Sequence, residues 1–177
     1  MRATAAGFLA VLALGSSPSF AGASSPEAAA DAFYRVYSSF HPSDGIPDAK
    51  ARALYEPVIS SALDKMLVDA GAAEGRFESA HKDAPPLIEG DLFSSNFEGA
   101  TTFKIASCQS QGSVAHCKMD LSYESGPKPM TWTDTLFLVA ASDGWRVDDV
   151  IYGAPFAFGN KGRLTETLRR AIADSGA

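Results

Sequence analysis

Residues 108–117 read CQSQGSVAHC, and this stretch decides the fold. Counting inward from a pairing of Cys108 with Cys117 leaves a two-residue loop, Gly112 and Ser113. Glycine supplies the positive φ that a type II′ turn needs at its first central position. The same register makes the cysteines a non-hydrogen-bonded pair, whose Cα atoms lie about 4.5 Å apart, within the range of a disulfide. The sequence therefore predicts a β-hairpin closed by a Cys108–Cys117 disulfide.

The apolar residues of this hairpin do not fit the cysteine register without an irregularity. An unbroken register would place Lys104 opposite Leu121, whereas the alternation of apolar residues favours Ile105 at that position. One extra residue would let the cysteines and the apolar residues each keep a consistent face of the sheet. We therefore expect a β-bulge near residues 106–107.

Four strand-like segments follow one another from residue 101 onward and are separated by turn signals. The expected strands are 101–109, 113–124, 130–141 and 145–152. The third strand carries apolar residues on both faces at positions 136–139, which is typical of a central strand covered on both sides. The pattern predicts a four-stranded antiparallel meander.

The preceding part of the chain has helical periodicity. Residues 25–27, Ser-Pro-Glu, provide an N-cap, a proline at the first helical position and an acid in the first turn, and His41-Pro42 ends this helix. A second helical region covers 47–73 with a break at Pro57, and it is followed by a polar loop. A short helix is expected near the C-terminus, at about 162–173. The sequence thus predicts an α+β fold, with N-terminal helices packed on a curved four-stranded antiparallel meander and a short C-terminal helix.

Residues 1–23 have the features of a secretory signal peptide. Arg2 gives a positive start, residues 8–14 form a short apolar segment, and Ala-Gly-Ala provides a small-residue cleavage site. We expect cleavage before Ser24, which leaves residues 24–177 as a single domain. The apolar segment is far shorter than the roughly 20 residues that span a bilayer, so no stable membrane anchor is predicted.

The charge balance is acidic. The chain has 15 basic and 21 acidic residues, a formal net charge of −6, and loss of Arg2 with the signal leaves 14 basic residues and a charge of −7. An acidic chain without a basic block argues against binding to nucleic acid or to an anionic membrane surface. Two lone cysteines in an exported protein favour a disulfide. We expect a periplasmic or secreted protein.

Three motifs carry a family resemblance. They are an aromatic FYxxY at residues 33–37, PLIEGD at residues 86–91 and GWRVDDVIY at residues 144–152. In this order, with the helices before the meander, the chain resembles exported bacterial proteins of the cystatin-like or NTF2-like α+β class, and in particular the uncharacterised DUF3828 family. The resemblance implies a bent sheet wrapped around helices, with a conical pocket between them. It brings no catalytic residues to this sequence.

The sequence contains no recognisable catalytic or metal-binding motif. The histidines, His41, His81 and His116, are dispersed, and no nucleophile elbow, phosphate-binding loop or dinucleotide fingerprint occurs. Together these features predict no catalytic residue, no metal site and no cofactor, and they favour a non-enzymatic role.

Carboxylates in the strands are the best candidates for a binding site. Asp149 shares strand parity with Val147, and Asp134 shares it with Leu136, so either could face an apolar pocket. Such a carboxylate would have a raised pKa and could hold a ligand or act as a general base. The alternative is that a strand end or a bulge turns each aspartate to solvent or toward a backbone N–H group.

Two further residues complete the candidate ligand-binding set. Asp91 follows Glu-Gly at the entrance to the sheet, where it could bind a ligand or form a turn in the loop. Tyr37 is either a core aromatic residue or a ligand donor. The predicted ligand-binding residues are therefore Asp134, Asp149, Asp91 and Tyr37.

Three functions fit these features. The first is a non-enzymatic exported protein that binds a small apolar or amphipathic molecule in the pocket between sheet and helices. The second is a protein that binds an envelope protein, as an inhibitor or immunity protein of an envelope-targeting enzyme, with an acidic surface suited to a basic partner. The third is a pocket enzyme with an aspartate as general base. A closed pocket with an inward carboxylate would favour the ligand or the enzyme, whereas a filled core with an exposed apolar patch would favour the protein partner.

Overall fold

The computed structural model describes residues 22–39, 45–125 and 127–175. These ranges contain the helices α1 (Pro26–Ser39), α2 (Ala49–Tyr55), α3 (Ser61–Ala80) and α4 (Leu164–Asp174), and the strands β1 (Thr102–Gln111), β2 (Val114–Tyr123), β3 (Met130–Ala141) and β4 (Gly144–Ile151). The strands form an antiparallel sheet in the order β1-β2-β3-β4. The predicted α+β class, with helices beside a four-stranded meander and a short C-terminal helix, is confirmed. Most of the predicted signal peptide, and the predicted helix end at His41-Pro42, lie outside the described residues.

The cysteine hairpin forms as predicted. Gln111 pairs with Val114, and Gly112 between them has a φ of +60°. Because every positive φ in the described ranges belongs to a glycine, the turn fits type II′ rather than type I′, which would need a second positive φ. Cys108 and Cys117 pair directly, with their Cα atoms 4.1 Å apart and their Sγ atoms bonded.

The predicted bulge is also present, but the predicted apolar pairing is wrong. The register shifts between Ile105 and Ser107, which leaves Ala106 as the extra residue. Phe103, and not Ile105, lies opposite Leu121. Because the extra residue lies on β1, the residues before it pair one position closer to the turn instead of one position further from it.

The third strand buries only one of its faces. Its inward residues are at most 8% exposed, namely Trp132, Asp134, Leu136 and Leu138. On the opposite face Phe137 is only half-buried, in contact with the ring of His116 at 5.1 Å and the guanidinium of Arg163 at 5.8 Å. The prediction of a strand covered on both faces is therefore wrong, because the residues on the outer face of β3 are half-buried or exposed.

The first helix packs on the inner face of the sheet, in contact with β1, β2 and β4. Ser25 caps it as predicted, because its hydroxyl accepts a hydrogen bond of 3.2 Å from the backbone N–H of Ala28. Phe33 and Tyr34 are fully buried and contact each other edge to face, and Phe33 meets Phe93 in the same way. Buried aromatic rings thus fill the space between this helix and the sheet.

The predicted break at Pro57 separates α2 from α3. Ser60 caps α3, since its hydroxyl accepts a hydrogen bond of 3.0 Å from the backbone N–H of Leu63. The predicted loop over residues 74–86 is wrong for 74–80, because α3 continues to Ala80, and residues 81–86 form a loop as expected. The apolar spacing ends near Ala73, but α3 packs along α4, and this tertiary contact supports turns whose own sequence is polar.

Three short segments cover the outer edge of β4. Ala23 pairs with Trp145, Ile59 pairs with Val147, and Arg163 pairs with Ile151. Two of these segments lead directly into helices, since α3 begins at residue 61 and α4 at residue 164. Backbone pairing at this edge therefore positions α3 and α4 against the sheet.

Candidate functional site

The four predicted ligand-binding residues are all buried. Asp91, Asp134 and Asp149 are 1%, 0% and 3% exposed, and Tyr37 is 2% exposed. The structure brings Asp91 and Tyr37 into direct contact, and Asp134 binds the loop that contains Asp91. Asp149 lies apart from them, at the start of α4.

Asp134 faces inward, as its parity predicts, and it accepts hydrogen bonds on both oxygens. Its Oδ2 accepts from the backbone N–H of Ser95 at 2.8 Å and the indole Nε1–H of Trp132 at 3.0 Å. Its Oδ1 accepts from the Ser95 hydroxyl and from the backbone N–H of Gly153 at 2.9 Å. Four donors use nearly all the acceptor capacity of a carboxylate, so Asp134 joins three chain segments and offers little to a ligand.

Asp91 and Tyr37 form a buried pair at 2.8 Å. The Tyr37 hydroxyl donates to Oδ2 of Asp91 and accepts a hydrogen bond of 2.6 Å from the backbone N–H of Ala100. Oδ1 of Asp91 accepts from the backbone N–H of Phe93 at 2.7 Å. Burial raises the pKa of Asp91 to about 7, although these hydrogen bonds favour the charged form and oppose the shift.

The expected parity of Asp149 is wrong. Phe137 pairs with Asp149 and Leu138 pairs with Val147, so Asp148 is an extra residue in β4. This bulge leaves Val147 on the core face with Leu138 and turns Asp149 to the opposite face, beside Phe137. Asp149 is therefore buried by contact with the start of α4 and does not face the space between the sheet and α1.

Asp149 caps α4 from a neighbouring strand. Its Oδ1 accepts from the backbone N–H of Thr165 at 3.0 Å and of Val150 at 2.9 Å, and its Oδ2 accepts from the Thr165 hydroxyl at 2.9 Å. The N-cap position of α4 is Arg163, whose side chain makes no capping hydrogen bond but lies 3.5 Å from the Asp149 carboxylate. A negative group at this helix end is favoured by the helix dipole. Asp149 therefore has a structural role.

A buried loop that the sequence analysis missed connects these groups. Residues 90–96 have no regular secondary structure, yet all of them are buried. Side chains satisfy the backbone of this loop, as expected where no strand or helix does so. The hydroxyl of Tyr152 donates to the carbonyl of Leu92 at 2.7 Å, and Asn160 donates to the carbonyls of Asp91 and Ser94 at 2.6 and 2.7 Å.

The surface beside this loop carries an apolar groove, here named the aromatic groove, formed by Phe97, Met130, Phe156 and Phe158. Its volume is about 330 Å³. Phe158 is 91% exposed, while Phe97 and Met130 are 43% and 41% exposed. Trp132 is buried, and its ring lies 5.6 Å from that of Phe156. The groove therefore has exposed aromatic walls at Phe97 and Phe158 and a half-buried Phe156 whose ring contacts the buried Trp132.

The walls of the aromatic groove are firmly held. The backbone N–H of Asn160 donates to the carbonyl of Ser95 at 3.0 Å, and Lys161 donates to the carbonyl of Phe156. Gly159 packs so closely that a Cβ there would lie 2.1 Å from the Ser95 oxygen. The exposed rings therefore stand on a loop that is tied to the interior.

The sequence contains a signal for this groove that strand and helix patterns do not capture. Residues 154–160, APFAFGN, combine aromatic side chains with proline, glycine and asparagine, outside any periodic segment. Such a stretch predicts a loop. Aromatic side chains in a loop stay exposed unless other parts of the fold pack against them. The partner wall at Phe97 is distant in sequence, so the groove itself could not be assembled from the pattern.

No family model, no curated protein and no solved structure matches this chain. The resemblance to the DUF3828 family therefore stays a prediction. Within the described ranges, none of the helices has the length and apolar character needed to span a bilayer. The same ranges contain no group of three or more histidine, cysteine, aspartate or glutamate residues arranged to hold a metal ion.

Proposed function

We propose that this chain is a non-enzymatic exported protein that binds a protein partner of the cell envelope through the aromatic groove. The observation that carries the proposal is Phe158, an aromatic side chain that is 91% exposed on a loop tied to the interior. Burying such a ring is worth about 2 kcal/mol, and exposed aromatic residues on rigid surfaces are typical anchors of protein interfaces.

The state of the interior supports a partner over a ligand held between sheet and helices. Phe33, Tyr34 and Leu136 fill that space and are fully buried. Asp134 and Asp149, the carboxylates predicted to mark a pocket, are used by the fold itself. A filled core next to an exposed apolar patch favours binding at the surface.

The shape of the groove supports a protein surface over a small molecule. About 330 Å³ is at the lower end of the range for ligand sites. A small molecule bound in the groove would cover only the side of the Phe158 ring that lines the groove. Most of this ring would remain exposed to water. A protein surface placed across the groove would bury the ring on both sides, which makes better use of its apolar area.

Export is the second part of the proposal. The apolar start of the chain and the Cys108–Cys117 disulfide together support an oxidising compartment outside the cytoplasm. Cleavage before Ser24 would remove Ala23, whose carbonyl accepts a hydrogen bond of 2.9 Å from Trp145. N-terminal sequencing of the exported protein should give Ser24 as the first residue, and material that keeps residues 1–23 would contradict the cleavage.

A capture experiment tests partner binding. Wild-type protein, Phe158→Ser and Leu54→Ser are immobilised separately and exposed to an extract of the native envelope. Leu54 is the matched control because it is a 49% exposed apolar residue on α2, outside the groove. We expect one protein to be retained by the wild type and by Leu54→Ser, and its apparent affinity to fall at least about tenfold with Phe158→Ser.

Other outcomes of the same experiment contradict the proposal. Equal retention by all three proteins would exclude the groove as the contact surface. An apolar small molecule that native mass spectrometry finds on the wild type but not on Phe158→Ser would assign the groove to a ligand. A dimer that dissociates in Phe158→Ser would assign it to a second copy of the chain.

A further inference from the structure

Asp91 is the residue that links the two walls of the aromatic groove. Its backbone N–H donates to the carbonyl of Phe97 at 2.7 Å, and Phe97 forms one wall. Its backbone carbonyl accepts from the side chain of Asn160 at 2.6 Å, and Asn160 ends the loop that carries Phe156 and Phe158. Asp91 is therefore one hydrogen bond from each wall, and Asn160 is also held by the carbonyls of Ser94 and Ser95.

The carboxylate of Asp91 is less well compensated than the other two buried carboxylates. Asp134 accepts from four donors, and Asp149 has three donors together with Arg163 and the N-terminus of α4. Asp91 accepts from Tyr37 and Phe93, and the backbone N–H of Ser94 also favours its charged form, but within the described ranges no salt bridge includes it. A buried carboxylate with so little compensation favours its protonated form.

The titratable groups around Asp91 act on this preference in different ways, since the Tyr37 hydroxyl favours the carboxylate and the negative charge of Asp134 opposes it. Tyr34 and Tyr37 of α1, Tyr55 of α2, Tyr152 after β4 and Asp134 of β3 all interact electrostatically with it. Burial raises the pKa of each of these tyrosines, so they remain neutral near pH 7. The negative charge of Asp134 adds to the effect of burial, which together raise the pKa of Asp91 to about 7.

We propose that proton binding at Asp91 shifts the walls of the aromatic groove and thereby changes the affinity of the groove for its partner. The change in affinity rests on the proposed function, whereas the shift of the walls does not. A neutral carboxyl accepts more weakly than a carboxylate from the Tyr37 hydroxyl and the Phe93 N–H, so the turn at residues 91–93 relaxes.

The backbone of Gly99 lies against the Asp91–Tyr37 pair. A Cβ at Gly99 would lie 2.6 Å from Oδ2 of Asp91 and 2.6 Å from the Tyr37 hydroxyl, so the backbone at residue 99 is in close contact with both groups. A larger residue could not be accommodated at position 99, so residues 97–99 lie directly against the Asp91–Tyr37 pair. Phe97 lies at one end of this segment and forms the groove wall.

Nuclear magnetic resonance of the free protein tests the shift without any partner. The side-chain carboxyl carbon of Asp91 and the backbone amides of Phe97 and Phe158 are followed from pH 4 to pH 9. We expect all three signals to titrate with a common midpoint near pH 7. A carboxyl carbon of Asp91 that titrates near pH 4, or amides of the groove that do not change near pH 7, would overturn the proposal.

Three variants assign the transition. Asp91→Asn should abolish the change in the amides near pH 7, whereas Glu98→Gln, which alters a carboxylate beside the groove, should keep it. Asn160→Ala should leave the titration of the Asp91 carboxyl in place while the amide of Phe158 no longer follows it. Amides that still titrate in Asp91→Asn would place the proton elsewhere. Because no partner is present, failure here is distinguishable from failure of the capture experiment.

Discussion

Tyr34 and Tyr37 lie one helical turn apart on α1 with their rings in contact at 5.5 Å, yet the surroundings of their hydroxyls are opposite. The hydroxyl of Tyr37 donates to Asp91 and accepts from Ala100. The hydroxyl of Tyr34 is equally buried, but it has no hydrogen-bond partner within the described residues. Helix α1 thus places two buried phenols side by side, one with hydrogen-bond partners for its hydroxyl and one without.

The two tyrosines should respond oppositely to loss of the hydroxyl. Tyr34→Phe removes an unpaired buried group, so it should raise the free energy of unfolding by about 1 kcal/mol. Tyr37→Phe removes the donor to Oδ2 of Asp91 and leaves the N–H of Ala100 without its partner, so it should lower that free energy by about 3 kcal/mol. Urea denaturation of both variants measures the difference. Changes of the same sign would show that the hydroxyl of Tyr34 is satisfied in solution.

Removal of the cap on α4 should destabilise the protein. Asp149→Ala leaves the N–H and hydroxyl of Thr165 unpaired and removes a charge from the N-terminus of α4, so we expect a loss of about 2 kcal/mol. Asp31→Ala is the control, because Asp31 pairs with Arg35 on the exposed side of α1 and such surface pairs contribute little. Equal urea midpoints for the two variants would mean that Asp149 does not act as a cap.

The raised pKa of Asp91 makes stability depend on pH. Its folded pKa of about 7 is above the value near 4 of an unfolded chain, so between these values the folded state binds a proton that the unfolded state lacks. The contribution of Asp91 is therefore fully present below about pH 4 and is lost as the pH rises through 7. Asp91→Asn should remove this decline. Urea titrations of both proteins at several pH values measure it, and parallel pH profiles would contradict the prediction.

The disulfide should stabilise the hairpin moderately. Its ten-residue loop is short, so replacing Cys108 and Cys117 together by alanine should cost about 2–3 kcal/mol. The comparison is made under non-reducing conditions, with alkylation after unfolding to verify that both thiols of the wild type are bonded. Quantitative alkylation of the wild type without reductant would show that the bond does not form.

The sequence predicted the parts of the fold that depend on local patterns. The turn at Gly112, the bulge at Ala106 and the cap at Ser25 each follow from residues within a few positions of one another. The inward direction of Asp134 also follows from alternation along one strand. Its partner Ser95 lies 39 positions away in an irregular loop, and no periodicity connects the two.

The error at Asp149 and the failure to find the groove have separate physical causes. Alternation assigns a face by counting positions, and the extra residue at Asp148 changes the count between Val147 and Asp149. Nothing in the residue types of β4 marks that bulge. The walls of the aromatic groove, Phe97 and Phe158, meet only after two loops have packed together, so the candidate site could be found only from the structure.

In the part of the chain that the structure describes, the segments that pair with the outer edge of β4 leave only the β1 edge of the sheet open to a further strand. Ile59 and Arg163, and Ala23 before cleavage, occupy backbone positions along that edge, so a further strand cannot add there without displacing them. Within the described residues β1 pairs only with β2, and its open side is interrupted by the bulge at Ala106. Growth of the sheet by strand addition, whether in a swapped dimer or in a fibril, must therefore begin at β1 and proceed away from the helices that begin at the β4 edge.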